Sequence, residues 1–147
     1  MEFLTPSFVL AMLLALTVHE YAHGFAASLL GDNTARHAGR LTLNPLAHLD
    51  LLGTLMFLTV GFGWAKPVPI DPRAFRNEKR DTTITALAGP LSNFLLAVAV
   101  VLLAKFVLIL PLTSGEVARP FLVTFFQDSL FLNLGLRALN LLPIAPL

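Results

Sequence analysis

Cysteine is absent from this chain, which excludes disulfides, thiolate catalysis and thiolate metal sites and leaves His, Asp and Glu as the side chains able to hold a metal ion. Charge is scarce as well: Asp, Glu, Lys and Arg make up 13% of 147 residues against 56% hydrophobic ones, with a mean hydropathy of +0.76. Soluble domains carry about 25% charged residues, so most of this chain is expected to sit in lipid. The formal net charge is +1. No basic cluster interleaved with aromatics accompanies it, which argues against a nucleic-acid partner. No internal repeat or low-complexity stretch is visible. The N-terminus carries Glu2 rather than a basic cluster, and its apolar run is too long for a cleavable signal peptide.

Against this apolar background stands His19-Glu20-Tyr21-Ala22-His23. On an α-helix, histidines four apart stack on one face and can aim two imidazole nitrogens at one ion. Glu20 projects beside them, placed to take a proton from a zinc-activated water and pass it to a leaving amine. This is the HExxH pattern of zinc peptidases. The bland alternative is a pair of buried histidines that serve packing alone, but ionisable groups inside a membrane helix are costly and default to function.

The surrounding sequence gives the setting. Thr5 as N-cap, Pro6 at the first helical position and Gly31 as a stop predict one helix from Pro6 to Leu30. At 1.5 Å per residue it reaches about 37 Å, enough to cross a bilayer core of about 30 Å. Gly24, Ala26, Ala27 and Ser28 are small enough to let a neighbouring helix approach. Between Gly31 and Asp81 lie seven of the ten basic residues, which suggests that the polar ends of this stretch face the cytoplasm. Leu51 to Ala65 is apolar but too short to span, and reads as a short or re-entrant membrane segment. Arg40 to Leu43 alternates in polarity and suggests a short strand able to pair with an unwound substrate. Two further spans are expected, Ile84 to Leu110 with a turn or break near Gly89-Pro90, and Phe121 to Leu142. The second carries Asp128, Asn133, Arg137 and Asn140, so one face should line a cavity or meet the first helix, with Asp128 and Arg137 snorkelling. The expected fold is therefore an all-α polytopic membrane protein with about three transmembrane helices, a short or re-entrant segment and a small β element.

The motifs, taken in order, resemble the site-2 protease family of intramembrane zinc metalloproteases over nearly the whole chain. His19 to Gly24 is similar to the family's zinc-binding helix. Asn140 to Leu147 is similar to the start of its second signature, Asn-x-x-Pro-x-x-x-Leu-Asp-Gly. Asn44 to Asp50, Gly63 to Pro69 and Ala88 to Asn93 resemble stretches of compact bacterial and archaeal members that lack a PDZ domain. The resemblance implies zinc held by His19 and His23, Glu20 as general base, and Asn140 as a group that binds substrate or the transition-state oxygen. It also implies cleavage within a substrate's transmembrane helix, releasing a membrane-tethered transcription factor or anti-sigma factor, in a multi-pass protein of a bacterial or archaeal plasma membrane. A homo-oligomer is compatible with it.

The family's third zinc ligand lies in the Asp-Gly that would follow Leu147. Residues 1–147 are accordingly expected to form one peptidase core, incomplete at its C-terminus. Asp32, His37, His48 and Asp50 are substitute ligands in principle, each expected instead at a loop surface or membrane interface. Two other functions compete: an inactive relative that binds transmembrane segments as a scaffold or chaperone around structural zinc, and a metal transporter. A structural site gains little from Glu20, and a carrier usually shows paired repeats.

Overall fold

The structure, a computed structural model, describes residues 4–60, 63–110 and 115–141, with side chains as far as residue 136. The described helices are α1 (Pro6–Leu29), α2 (Thr34–His37), α3 (Leu51–Val60), α4 (Glu78–Val107) and α5 (Ala118–Leu141). Short 3-10 turns occupy Pro45–His48 and Pro72–Ala74. The chain divides into two compact units, Leu16–Ser92 and the pairing of Met1–Ala15 with Asn93–Leu147, with α1 and α4 running through both.

The ends of α1 follow from its caps. Thr5 Oγ1 accepts the Phe8 N–H at 3.2 Å, and Pro6 sits where no N–H is needed. At the other end Gly31 takes φ +112°, so the Asp32 N–H can reach back to the Ala27 carbonyl at 2.9 Å. A residue with a Cβ makes that turn only under strain. In α4 the Asn77 side chain accepts the Arg80 N–H at 3.1 Å, while Asp81 Oδ2 accepts the Asn77 N–H at 3.0 Å. This reciprocal cap opens the helix.

In the Leu16–Ser92 unit, α3 is followed by a chain that returns to where the helix began. Asp50 Oδ1 caps α3 by accepting the Gly53 N–H at 2.8 Å. Ala65 then forms an isolated antiparallel bridge with Leu49, and the Lys66 N–H donates to the His48 carbonyl at 2.9 Å. The return is possible because the Trp64 backbone crosses Gly53 where a Cβ would collide with it. From Ala65 onward the extended chain is a strap tied residue by residue. Arg40 Nη2 donates to the Lys66 carbonyl at 2.6 Å, and the Val68 and Asp71 N–H groups donate to Glu20 Oε2 at 3.0 Å and Asp32 Oδ2 at 2.8 Å.

Two expectations are corrected. Arg40 to Leu43 is no strand: residues 41–43 form a bend, and no strand occurs among the described residues. The Thr42 carbonyl accepts His48 Nε2–H at 2.8 Å, and Thr42 Oγ1 accepts the Asn44 N–H at 3.1 Å, so side chains take the bonds that a ladder would need. The break at Gly89-Pro90 does not occur; α4 runs through Pro90. Pro90 removes only its own N–H bond to the Ala86 carbonyl, and an apolar helix packed against others tolerates such a loss. Where about three transmembrane helices were expected, α1 and α4 are the described helices long and apolar enough to cross a membrane. In α5, Gln127, Asp128, Ser129 and Asn133 dilute the apolar run.

In the other unit, Asp128 does not snorkel. Its Oδ2 accepts Ser7 Oγ–H at 2.9 Å, tying α5 to the start of α1, as the polar face of α5 suggested. Ser129 and Asn133 are fully buried. The arrangement of burial is inverted relative to a water-soluble protein. The largest fully buried side chains are all polar, His48, Asp32 and Asn93 among them, whereas Leu51 is 89%, Ile109 81% and Phe131 72% exposed.

Candidate metal centre

Near the middle of α1, His19 and His23 face each other one helical turn apart. Their Nε2 atoms are 3.0 Å apart and their rings meet edge to face, with centroids 4.6 Å apart. His19 is buried. A tetrahedral zinc with Zn–N bonds of about 2.0–2.1 Å places two ligand nitrogens about 3.3 Å apart, so the pair sits within a few tenths of an ångström of that spacing.

The pair is fixed by α4. His23 Nδ1 donates to the Thr85 carbonyl at 2.7 Å, which leaves the His23 Nε2 lone pair directed at His19. Carbonyl partners of this kind set the tautomer of a ligating histidine. His19 Nδ1 is buried and has no partner. The His23 Nε2 lone pair can accept an N–H from His19 Nε2 across the 3.0 Å separation, or both nitrogens can turn their lone pairs to one metal ion. The other wall is Gly89. A Cβ at Gly89 would press on His23 Nε2 and lie 2.7 Å from His19 Nε2. Glycine alone therefore lets α4 close over the pair without a side chain covering both nitrogens.

Glu20 lies beside the histidines, half-buried, its carboxylate held by the Val68 N–H of the strap at 3.0 Å. Val68 is itself buried beside Gly24. The extended segment after α3 thus orients the one carboxylate of the motif.

Among the described residues no third His, Asp or Glu joins the pair. His48 and Asp32 are fully buried rather than at a loop surface, because each ties backbone together: His48 to the Thr42 carbonyl, Asp32 to the N–H groups of Thr34 and Asp71 at 2.8 Å each. Asp50 caps α3, and His37 lies exposed at the end of α2. Asn140 belongs to α5, but its side chain, that of Arg137 and residues 142–147 lie outside the described residues. The two histidines fit zinc as a partial donor set, through their spacing, the fixed tautomer of His23 and the bare Gly89 wall.

Sequence reasoning missed the Thr85 carbonyl, Gly89 and the Val68 N–H as parts of this site. Two are backbone groups with no side-chain signature. Gly89 did carry a signal, since a glycine inside an apolar helix marks a close approach as readily as a break.

Two curated proteins are similar to this chain. The chain is 41% identical over 148 aligned residues, 98% of its length, to the protein named "Putative zinc metalloprotease YwhC" in Bacillus subtilis (strain 168), and spans 66% of that protein. It is 35% identical over 91 residues, 58% of its length, to "Putative zinc metalloprotease Rip2" of Mycolicibacterium smegmatis (strain ATCC 700084 / mc(2)155), and covers 35% of that relative. No family model matches the chain, and no solved structure matches it significantly. On an identity that runs through nearly its whole length, the chain belongs to the site-2 protease family of zinc metalloproteases.

Proposed function

We propose that the chain is the core of an intramembrane zinc metallopeptidase that hydrolyses a peptide bond within a substrate's transmembrane helix. The observation that carries the reading is the His19–His23 pair, Nε2 to Nε2 at 3.0 Å inside a helix able to span a membrane. The inverted burial supports the membrane setting: leucine, isoleucine and phenylalanine face outward where lipid would solvate them, and polar groups are enclosed. The basic stretch between Gly31 and Asp81 supports a cytoplasmic side for the connecting segments. α3 and its return then form a re-entrant element, both of whose ends lie on that side.

His19 and His23 would hold the metal in this reading as two of its ligands. Zinc, when bound, supplies a Lewis acid that polarises the scissile carbonyl and makes water acidic enough to attack at neutral pH. The chain's own residues do the rest. The Thr85 carbonyl keeps the His23 proton on Nδ1, so that Nε2 remains a ligand. The Glu20 carboxylate takes a proton from the attacking water and returns it to the leaving nitrogen, with the Val68 N–H holding that carboxylate in place. Asn140 binds the substrate or the developing oxyanion. The substrate must unwind locally, because a helical carbonyl is hydrogen-bonded and shielded, so helix-breaking residues near the cleavage site speed the reaction. A membrane-tethered transcription factor or anti-sigma factor is the class of substrate proposed.

Glu20→Gln tests the assignment. It keeps the volume and the Val68 contact but cannot accept the proton. The expected outcome is unchanged zinc content with cleavage of a transmembrane model substrate reduced at least about 100-fold, the lower range for a lost general base. Cleavage at the wild-type rate in purified protein would refute the role given to Glu20.

A further inference from the structure

A second built site lies where α1 ends and α4 begins, outside the metal centre. A cavity of about 280 Å³ opens there, lined by Ser28 to Gly31 on one side and by Arg76, Arg80 and Asp81 on the other. We propose that this cavity is a phosphate-binding site, occupied in the membrane by the headgroup phosphate of an anionic lipid. The lipid assignment rests on the membrane reading above.

The charges leave one class of ligand. Asp81 is the cavity's only carboxylate among its lining residues, and it is already committed: its side chain is 1% exposed, Oδ1 accepts Arg80 Nε–H at 2.8 Å and Oδ2 accepts the Asn77 N–H. That contact uses one edge of the Arg80 guanidinium, and the Arg80 side chain remains 63% exposed. Arg76 is exposed and takes part in neither ion pair found among the described residues. Two guanidiniums thus share a cavity with one buried, internally satisfied carboxylate, an excess of positive charge presented as planar forks. Such forks match phosphate oxygens two at a time.

Position selects the source of the phosphate. α1 and α4 are the described helices able to span a membrane, and the cavity lies where the C-terminus of one meets the N-terminus of the other. A lipid headgroup sits at that depth. Leu29, 72% exposed, and Leu30 offer an apolar floor beside the guanidiniums for the first carbons of an acyl chain. Anionic headgroups of the cytoplasmic leaflet are drawn to basic side chains at such helix ends.

The test uses the full 147-residue chain in neutral detergent, with phosphatidylglycerol as probe and lipid retention read by native mass spectrometry. Arg80→Gln would strip Asp81 of its partner, so the informative variant is Arg76→Gln, with Arg76→Lys as its conservative counterpart. Lys79→Gln, a cation one helical position from the cavity lining, controls for bulk charge. Wild type should retain the lipid, Arg76→Gln should bind it roughly tenfold or more weakly, Arg76→Lys should recover part of the loss, and Lys79→Gln should match wild type. Equal retention by wild type and Arg76→Gln, or an equal loss in Lys79→Gln, would overturn the site. Inorganic phosphate is the second arm: binding of inorganic phosphate without retention of phosphatidylglycerol would overturn the lipid assignment. Alkaline extraction of the same proteins from membranes separates the two readings. Wild type released into the soluble fraction sinks the membrane reading and this site with it. Wild type held in the membrane, with lipid binding indifferent to Arg76, sinks this site alone.

Discussion

At the scale of single residues, the proposed metal centre depends on what is missing as much as on what is present. His19 and His23 supply nitrogens, but Gly89 supplies the absence of a side chain where α4 meets them. Gly89→Ala should therefore weaken zinc binding by roughly 10–100-fold, the range for changes in groups that support metal ligands. Competition with a chelating dye reads this directly; wild-type affinity would show that α4 can withdraw from the pair at little cost. The histidine pair and Glu20 were legible in the sequence because helical periodicity alone brings positions 19 and 23 together. The Thr85 carbonyl and the Val68 N–H were not, because both reach the site across more than 40 residues of chain as backbone groups. Any residue at those positions offers the same atoms. The burial of Asp32 and His48 was not legible for a related reason: their polarity is consumed by backbone partners that only the fold supplies.

At the scale of elements, the strap from Ala65 to Asp71 is what joins the connecting region to α1. It is anchored at its far end by Asp32, a fully buried carboxylate that accepts the N–H groups of Thr34 and Asp71. Asp32→Ala leaves both donors without their partner and frees the strap. A loss of about 2–4 kcal/mol in stability is expected from two unsatisfied buried groups, measured by denaturant unfolding in detergent. A change below 0.5 kcal/mol, the size of an ordinary surface substitution, would show that the strap is held by its other ties. The boundaries of α1 were legible because Thr5, Pro6 and Gly31 are local signals acting on local backbone. The turn-back after α3 was legible as a length argument: ten helical residues cannot cross a bilayer. The strand at Arg40 to Leu43 was misread because four alternating residues carry too little periodicity to outweigh a histidine that captures the Thr42 carbonyl. The turn or break expected at Gly89-Pro90 treated proline as a helix stop, whereas it removes a single N–H bond that a packed apolar helix can lose.

At the scale of the whole molecule, composition and burial point the same way. A chain with 13% charged residues encloses Asn93, Asn133 and Ser129 while exposing its leucines. In water that distribution would expose large apolar patches; in lipid it is the arrangement that satisfies both phases. The expressed chain should accordingly stay in the membrane fraction through an alkaline carbonate wash and leave it only with detergent; release by carbonate alone would contradict a membrane-spanning fold. Family membership reaches further than activity does, since the chain spans 66% of the Bacillus subtilis relative. The central claim is that His19 and His23 form a zinc centre, and it is tested most directly by the zinc content of the purified 147-residue chain beside a His19→Ala/His23→Ala variant. The account expects roughly one zinc per chain, the stoichiometry of a single mononuclear site, and its loss in the double variant. Zinc retained by the double variant, or none bound by the wild type, would contradict it.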